Sequence, residues 1–203
     1  MKATKKIIVL IAIVVIGIQA SFGQTQGKIR VGFDLGLALP HAGAGITGDL
    51  DARYNITDNI NAGILLSSAA LLKDISASST TGTLVVGANS AFLVHGDYYF
   101  GKGLSLFSPF LGAGLGKYSV SNIQITSDDT SADANSISVP SESKFGGLIR
   151  GGFELGHFRM ALSYNMIPAS SVYDLSSNYV GTTGNNFVNL SLGFYFGGGH
   201  WKK

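Results

Sequence analysis

The chain has no cysteine, four prolines and one tryptophan in 203 residues, and only 13% of its residues are charged. Without cysteine there is no disulfide framework, no thiolate metal site and no thiol to carry a lipid near the N-terminus. Sparse charge removes a second class. Three of the 14 Lys and Arg residues (Lys2, Lys5, Lys6) precede the first apolar run, which leaves 11 bases against 12 acids in the remainder. A nucleic-acid-binding surface needs a basic excess that this chain does not have. Long apolar runs are also missing beyond residue 20, which excludes a helical membrane protein downstream of that point.

The single long run, IIVLIAIVVIGIQA, follows those three lysines, and Ser21 and Gly23 stand at the −3 and −1 positions of a cleavage site. A basic start, a short apolar core and small residues predict a secretory signal peptide over 1–23. About 14 residues is short against the roughly 20 that a spanning helix needs. The mature domain is then 24–203.

What the sequence does have is 28 glycines and a persistent period of two. In KIRVGFDLGLAL, Ile29, Val31, Phe33, Leu35, Leu37 and Leu39 alternate with Lys28, Arg30, Gly32, Asp34, Gly36 and Ala38. Alternation of this kind marks a strand with two unlike faces. It recurs seven more times, predicting strands over about 27–39, 45–56, 60–72, 82–100, 108–118, 144–155, 158–166 and 186–196. Connections alternate between tight turns, at 57–59, 101–107 and 156–157, and longer polar stretches, at 73–81, 119–144 and 167–185. Gly156-His157 is a two-residue hairpin that sets Leu155 against Phe158 and Glu154 against Arg159.

The placement of charge decides which face meets solvent. Lys28, Arg30, Asp34, Asp49, Asp51, Arg53, Asp97, Arg150, Glu154 and Arg159 fall on the polar face of the strands, and the other charges fall in turns, loops, rims or the tail. An Arg or Lys facing lipid at mid-bilayer costs about 2–4 kcal/mol, so an apolar face free of charge is what lipid exposure selects. Turning that face inward would crowd large side chains from eight strands into an interior barely wide enough for side chains. The reading is all-β: an eight-stranded antiparallel up-and-down transmembrane β-barrel with a closed polar lumen. Balanced lumen charges pair with one another, Glu154 with Arg159 most directly. Tyr54, Tyr98, Phe100, Phe153, Phe158, Phe194 and Phe196 cluster outward near the turn end and form an aromatic girdle.

HGDYYFG (95–101), PFLGAGLG (109–116), the hairpin RGGFELGHFRMALSYN (150–165) and the aromatic-ended LSLGFYF (190–196) resemble the small outer-membrane barrels of Gram-negative bacteria, as in the OmpA transmembrane domain and OmpX. The resemblance implies an outer-membrane location, contact with membrane lipid and lipopolysaccharide, recognition of the last strand by the barrel-insertion machinery, and a monomer. One departure is that the chain runs on through GGGHWKK after Phe196. The peptidoglycan anchoring of full-length OmpA does not carry over, because no such domain follows.

Chemistry is weakly represented. GAGLG lacks the Lys-Ser/Thr of a phosphate loop and lies inside a strand. His41, His95, His157 and His200 have no common ligand spacing, so neither metal nor cofactor is expected. Lipid A deacylases of this size need a nucleophile beside a histidine on the outer wall. The outer neighbours of His157 are Leu155 and Phe158, so the expectation is no enzyme. Two functions remain: a closed barrel serving envelope integrity or presenting its long loops to an external ligand, and an OmpW-like narrow conduit for small hydrophobic molecules lined by Leu65, Val85, Leu93, Phe110 and Leu148. Mass spectrometry of isolated outer membranes is expected to find the mature N-terminus at Gln24; an intact Met1 end would refute the processing.

Overall fold

Each alternating segment must place its apolar side against something apolar and its polar side against partners, and a closed sheet with lipid outside does both without leaving an edge. The structure is a computed structural model, and it describes residues 25–40, 43–75, 83–100, 107–125, 137–138, 141–173 and 179–198. Its strands are β1 (Ile29–Pro40), β2 (Ala44–Asn55), β3 (Ile60–Ile75), β4 (Thr83–Tyr99), β5 (Phe107–Ile125), β6 (Ile137–Ser138), β7 (Glu142–Leu155), β8 (Phe158–Met166), β9 (Ser170–Tyr173), β10 (Tyr179–Thr183) and β11 (Phe187–Gly197). Among the described residues there is no helix. Eight strands pair in chain order, and β1 meets β11 to close the sheet. All eight seams are antiparallel. The predicted signal peptide lies outside the described residues.

Register follows the turns. At Gly156-His157, Leu155 pairs with Phe158 and Glu154 with Arg159, and Gly156 takes the positive φ (62°) of a tight hairpin. At the 56–59 turn, Thr57 Oγ1 accepts from the amides of Asn59 and Ile60, and Asn55 pairs with Asn61. Following paired residues round the barrel from Gly45 passes Ala38, Asn189, Ser163, Arg150, Gly112, Asp97 and Asn61. The path returns to β2 at Asn55, ten residues from its start. That stagger is the tilt a closed sheet requires.

Exposure divides by parity as the alternation dictates. Leu35 (60% exposed), Leu192 (61%) and Phe196 (71%) stand on the outer wall, while Arg30, Asp51, Arg53, Asp97 and Glu154 are buried inside. The described outer wall from Ile29 to Leu39 is wholly aliphatic or aromatic at its outward positions, as lipid contact selects.

Three expectations need correction. Strand five does not stop at 118 but continues as β5 to Ile125, pairing with β4 as far as Leu84. Over 118–121 it carries serines outward (Ser119, Ser121) and Tyr118 and Val120 inward, the reverse of the pattern below, so that stretch reads as loop. The 119–144 loop is correspondingly shorter and holds β6. The 167–185 segment contains the β9–β10 hairpin.

The outer wall makes a depth-dependent prediction. Leu192→Arg, at mid-wall, is expected to lower stability in lipid vesicles by about 2–4 kcal/mol. Ser143→Arg, at the loop-side rim, is expected to change it by about 1 kcal/mol or less. Urea unfolding of both variants checks this, and equal costs would contradict lipid exposure.

Candidate functional site in the lumen

Ten charged residues of the polar strand faces were candidates for one network, and glycine determines how they connect. Asp97 on β4, Gly112 on β5 and Arg150 on β7 lie in one register row. Arg150 reaches across the bare middle strand, donating from Nε to Asp97 Oδ1 and from Nη2 to Asp97 Oδ2, both at 2.8 Å. The same arrangement recurs across the closing seam, where Asp34 on β1, Gly193 on β11 and Arg159 on β8 share a row. Arg159 binds both oxygens of Asp34, with Nε donating to Oδ1 at 3.1 Å. Neighbouring strands are about 4.8 Å apart, so each pair spans roughly 10 Å between backbones, which only a long side chain over an empty position can do. A Cβ on Gly112 would lie 2.0 Å from Asp97 Oδ1, and one on Gly193 would lie 1.6 Å from Asp34 Oδ1.

These two bridges are joined through β2. Arg53 binds Asp51 and lies 2.9 Å from Asp97 Oδ2, while Arg159 Nη1 lies 3.0 Å from Asp51. Arg30 Nη2 donates to Glu154 Oε2 at 2.5 Å. Tyr99 is the junction: its hydroxyl accepts from Arg30 (3.2 Å) and Arg53 (3.0 Å) and donates to Glu154 Oε1 (2.7 Å). Arg30 also stacks on Tyr195, its guanidinium carbon 3.9 Å from the ring centroid. Charge-assisted, partly bidentate bonds of this kind compensate the desolvation of four buried guanidiniums. Below them, Asn55 donates to the carbonyls of Thr25 and Gly198, and Thr25 N donates to Gly198 O, so the segments flanking β1 and β11 meet under the turn-side mouth.

The structure brings together Arg30, Asp34, Asp51, Arg53, Asp97, Arg150, Glu154 and Arg159, but not in every expected pairing. Glu154 and Arg159 are register partners without being ion-pair partners: Glu154 turns to Arg30 and Tyr99, and Arg159 to Asp34 and Asp51. Register fixes which Cβ atoms are adjacent, whereas a guanidinium follows the glycine gap to a better carboxylate. Lys28 precedes β1 and is exposed, outside the network. Asp49 is half-buried, bonds Ser67 and has no ion-pair partner among the described residues. His95 contributes Nδ1, 2.8 Å from Arg150 Nη2. Tyr99 was missed, although its parity opposite Tyr98 already points it inward.

Toward the loops the lumen changes character. Leu65, Leu71, Leu93, Tyr118, Val120, Leu148, Ile167 and Phe187 pack there as one buried apolar cluster, with Ala38, Ala69 and Ala91. The inward apolar residues are therefore a continuous layer rather than scattered filler. Phe110 stacks on Tyr99 nearer the turns, and the side chain of Val85 lies outside the described residues. The polar lining expected for the whole lumen describes its turn-side part.

On the outer wall the girdle aromatics gather near the turns. Phe158 and Phe194 rings lie 4.2 Å apart, Tyr98 meets Phe100 edge-on at 5.2 Å, and Phe153 packs on Phe107, which the sequence reading left out. Tyr54 and Phe196 are exposed on the same wall.

No family model and no curated sequence matches the chain. Among solved structures, the outer membrane protein OprG from Pseudomonas aeruginosa superposes with a TM-score of 0.53 at 13% identity, covering 86% of this chain and 98% of that one. The chain has the OmpA/OmpX-like outer-membrane barrel fold. Neisserial surface protein A (14% identity, 84% of this chain and 96% of that one, TM-score 0.46) is a looser likeness. The N-terminal barrel domain of OprF from Pseudomonas aeruginosa (16% identity, 85% and 100%, TM-score 0.42) is looser again.

The glycine bridges give the barrel a sharp test. Gly112→Ala and Gly193→Ala are each expected to destabilise it by on the order of 3 kcal/mol, the cost of breaking a buried pair. On the outer wall, Gly48→Ala meets only Leu35 Cδ2 at 3.9 Å and is expected to stay within about 0.5 kcal/mol. Equal effects in thermal or urea unfolding would mean that the gaps are not what the pairs require.

Proposed function

We propose that the protein is a monomeric, non-enzymatic outer-membrane barrel whose lumen is closed, and that it serves envelope integrity or presents its long loops to an external ligand. The observation that carries this reading is the turn-side network. Four arginines are linked to four carboxylates and to Tyr99 across the full width of an eight-stranded interior, which is narrow to begin with. An eight-stranded fold, an apolar outer wall and aromatics near one rim support the outer-membrane location and the contact with lipid. The proposed orientation sets the tight turns in the periplasm and the longer connections outside. Asp128, Asp129 and Asp133 of the longest connection lie outside the described residues.

A second reading, the narrow conduit for small hydrophobic molecules, is favoured by the buried apolar layer on the loop side. The two readings part in planar bilayers and vesicles. The refolded protein is expected to show no steady ionic conductance and to admit a small apolar dye no faster than protein-free vesicles. Steady conductance would overturn the closed lumen, and accelerated dye entry would establish the conduit. Loss of cell-surface binding in a variant lacking residues 126–136 would place the interaction on that connection; unchanged binding would reject it.

A further inference from the structure

The lumen network leaves one acid over. Its four buried arginines are matched by four carboxylates, and Asp49 is a fifth on the same inward face. Ser67, its register partner on β3, donates to it, and its Oδ1 is enclosed with no hydrogen-bond partner among the described residues. A carboxylate held away from water without a cation is costly, so this position calls for one.

A second orphan faces it. In the next inward row toward the loops, Thr47 on β2, Ala69 on β3 and Asn89 on β4 are register partners. Asn89 is 5% exposed, and neither its amide oxygen nor its amide nitrogen has a partner among the described residues. The strands on either side of Ala69 are about 10 Å apart, the same span that arginine crosses over Gly112 and Gly193. Here the flanking side chains are too short to meet. Thr47 Oγ1 donates to Asn189 Oδ1 and so keeps its lone pairs for another partner. Thr47, Ser67, Asp49 and Asn89 therefore surround the Ala69 methyl group with hydroxyl, carboxylate and amide oxygens, and among the described residues no cationic side chain is bonded to any of them. Asp49 and Ser67 point inward yet are only half-buried, so the lumen is open beside them.

We propose that this cluster binds one sodium-sized monovalent cation inside the lumen, with the carboxylate of Asp49, the amide oxygen of Asn89 and the hydroxyl oxygens of Thr47 and Ser67 as ligands. Oxygen donors suit a hard cation, and a single carboxylate among neutral oxygens cancels a single positive charge. A divalent ion would keep an unbalanced charge here, and among the described residues no three His, Asp or Glu side chains gather to hold one. Histidine spacing, which argues against a transition metal, has no bearing on a set of oxygens. The site depends on the closed sheet and on these four side chains, whichever role the loops serve.

The test is thermal unfolding of the full mature barrel refolded in neutral detergent, in sodium chloride and in choline chloride at equal ionic strength, so that screening is the same in both. Sodium is expected to raise the midpoint in a saturable way, by about 5–10 °C when it exceeds its dissociation constant roughly a hundredfold, because only the folded barrel assembles the four oxygens. Asp49→Asn is expected to abolish the sodium dependence and, with the uncompensated charge gone, to be at least as stable as the wild type in choline. Ala69→Leu, which fills the space between the ligands, is expected to abolish the dependence too. A wild-type midpoint indifferent to sodium would overturn the site, reducing it to ordered water between Asp49 and Asn89. A sodium effect of equal size in the wild type and either variant would also overturn it, as would calcium chloride stabilising the wild type more than sodium chloride at the same ionic strength.

Discussion

Burying a guanidinium without a carboxylate is among the most unfavourable things a fold can do, and this one buries four. The turn-side interior is arranged around that constraint. Glycines at 112 and 193 exist to be crossed, Tyr99 supplies a hydroxyl that gives and takes at once, and Arg30 finds the face of Tyr195. With the charges satisfied inside, the outer wall around the turn-side interior is free to be apolar. The same glycines leave the wall thin where the side chains are thickest, so interior volume and charge pairing are solved together.

Two interiors follow from one closed sheet. Near the turns the lumen is ionic and connected; toward the loops it holds a buried apolar cluster of Leu, Val, Phe and Tyr side chains beside uncharged polar residues such as Thr47, Asn89, Asn165 and Asn189. The loop-side parts of β3, β4 and β5 accordingly resemble a soluble sheet, with Leu71 and Val120 inside and Ser68, Ser90 and Ser119 outside. A change of phase along these strands is what surroundings that pass from hydrocarbon to a wetter medium would select.

That phase change also explains what could be read from the residues alone. Where the wall faces hydrocarbon, as at Phe33, Leu35 and Leu37, period two assigns face and strand together. At 118–121 the same period survives with its polarity reversed, and a search for apolar residues outside finds a serine-rich loop there. Parity fixed the inward direction of Arg150, Glu154 and Arg159, yet it contained nothing about partners two strands away. Pairing across Gly112 depends on barrel stagger, a property of the closed sheet and not of any segment. The Glu154–Arg159 pair was the natural choice from a hairpin and the wrong one in a closed cylinder.

The bridge over Gly193 links strands that the chain visits at opposite ends of its synthesis. Asp34 belongs to the first strand, Arg159 to the seventh strand of the wall, and the last strand lies between them. In a ribbon paired in chain order, this contact comes into being only when the last strand meets the first. A contact made that late contributes little to the speed of assembly and acts almost wholly on the rate of opening. The seam where the two ends of the sheet meet is thereby latched from inside, and the lifetime of the inserted barrel is set at the place where a cylinder made from one ribbon would otherwise come undone.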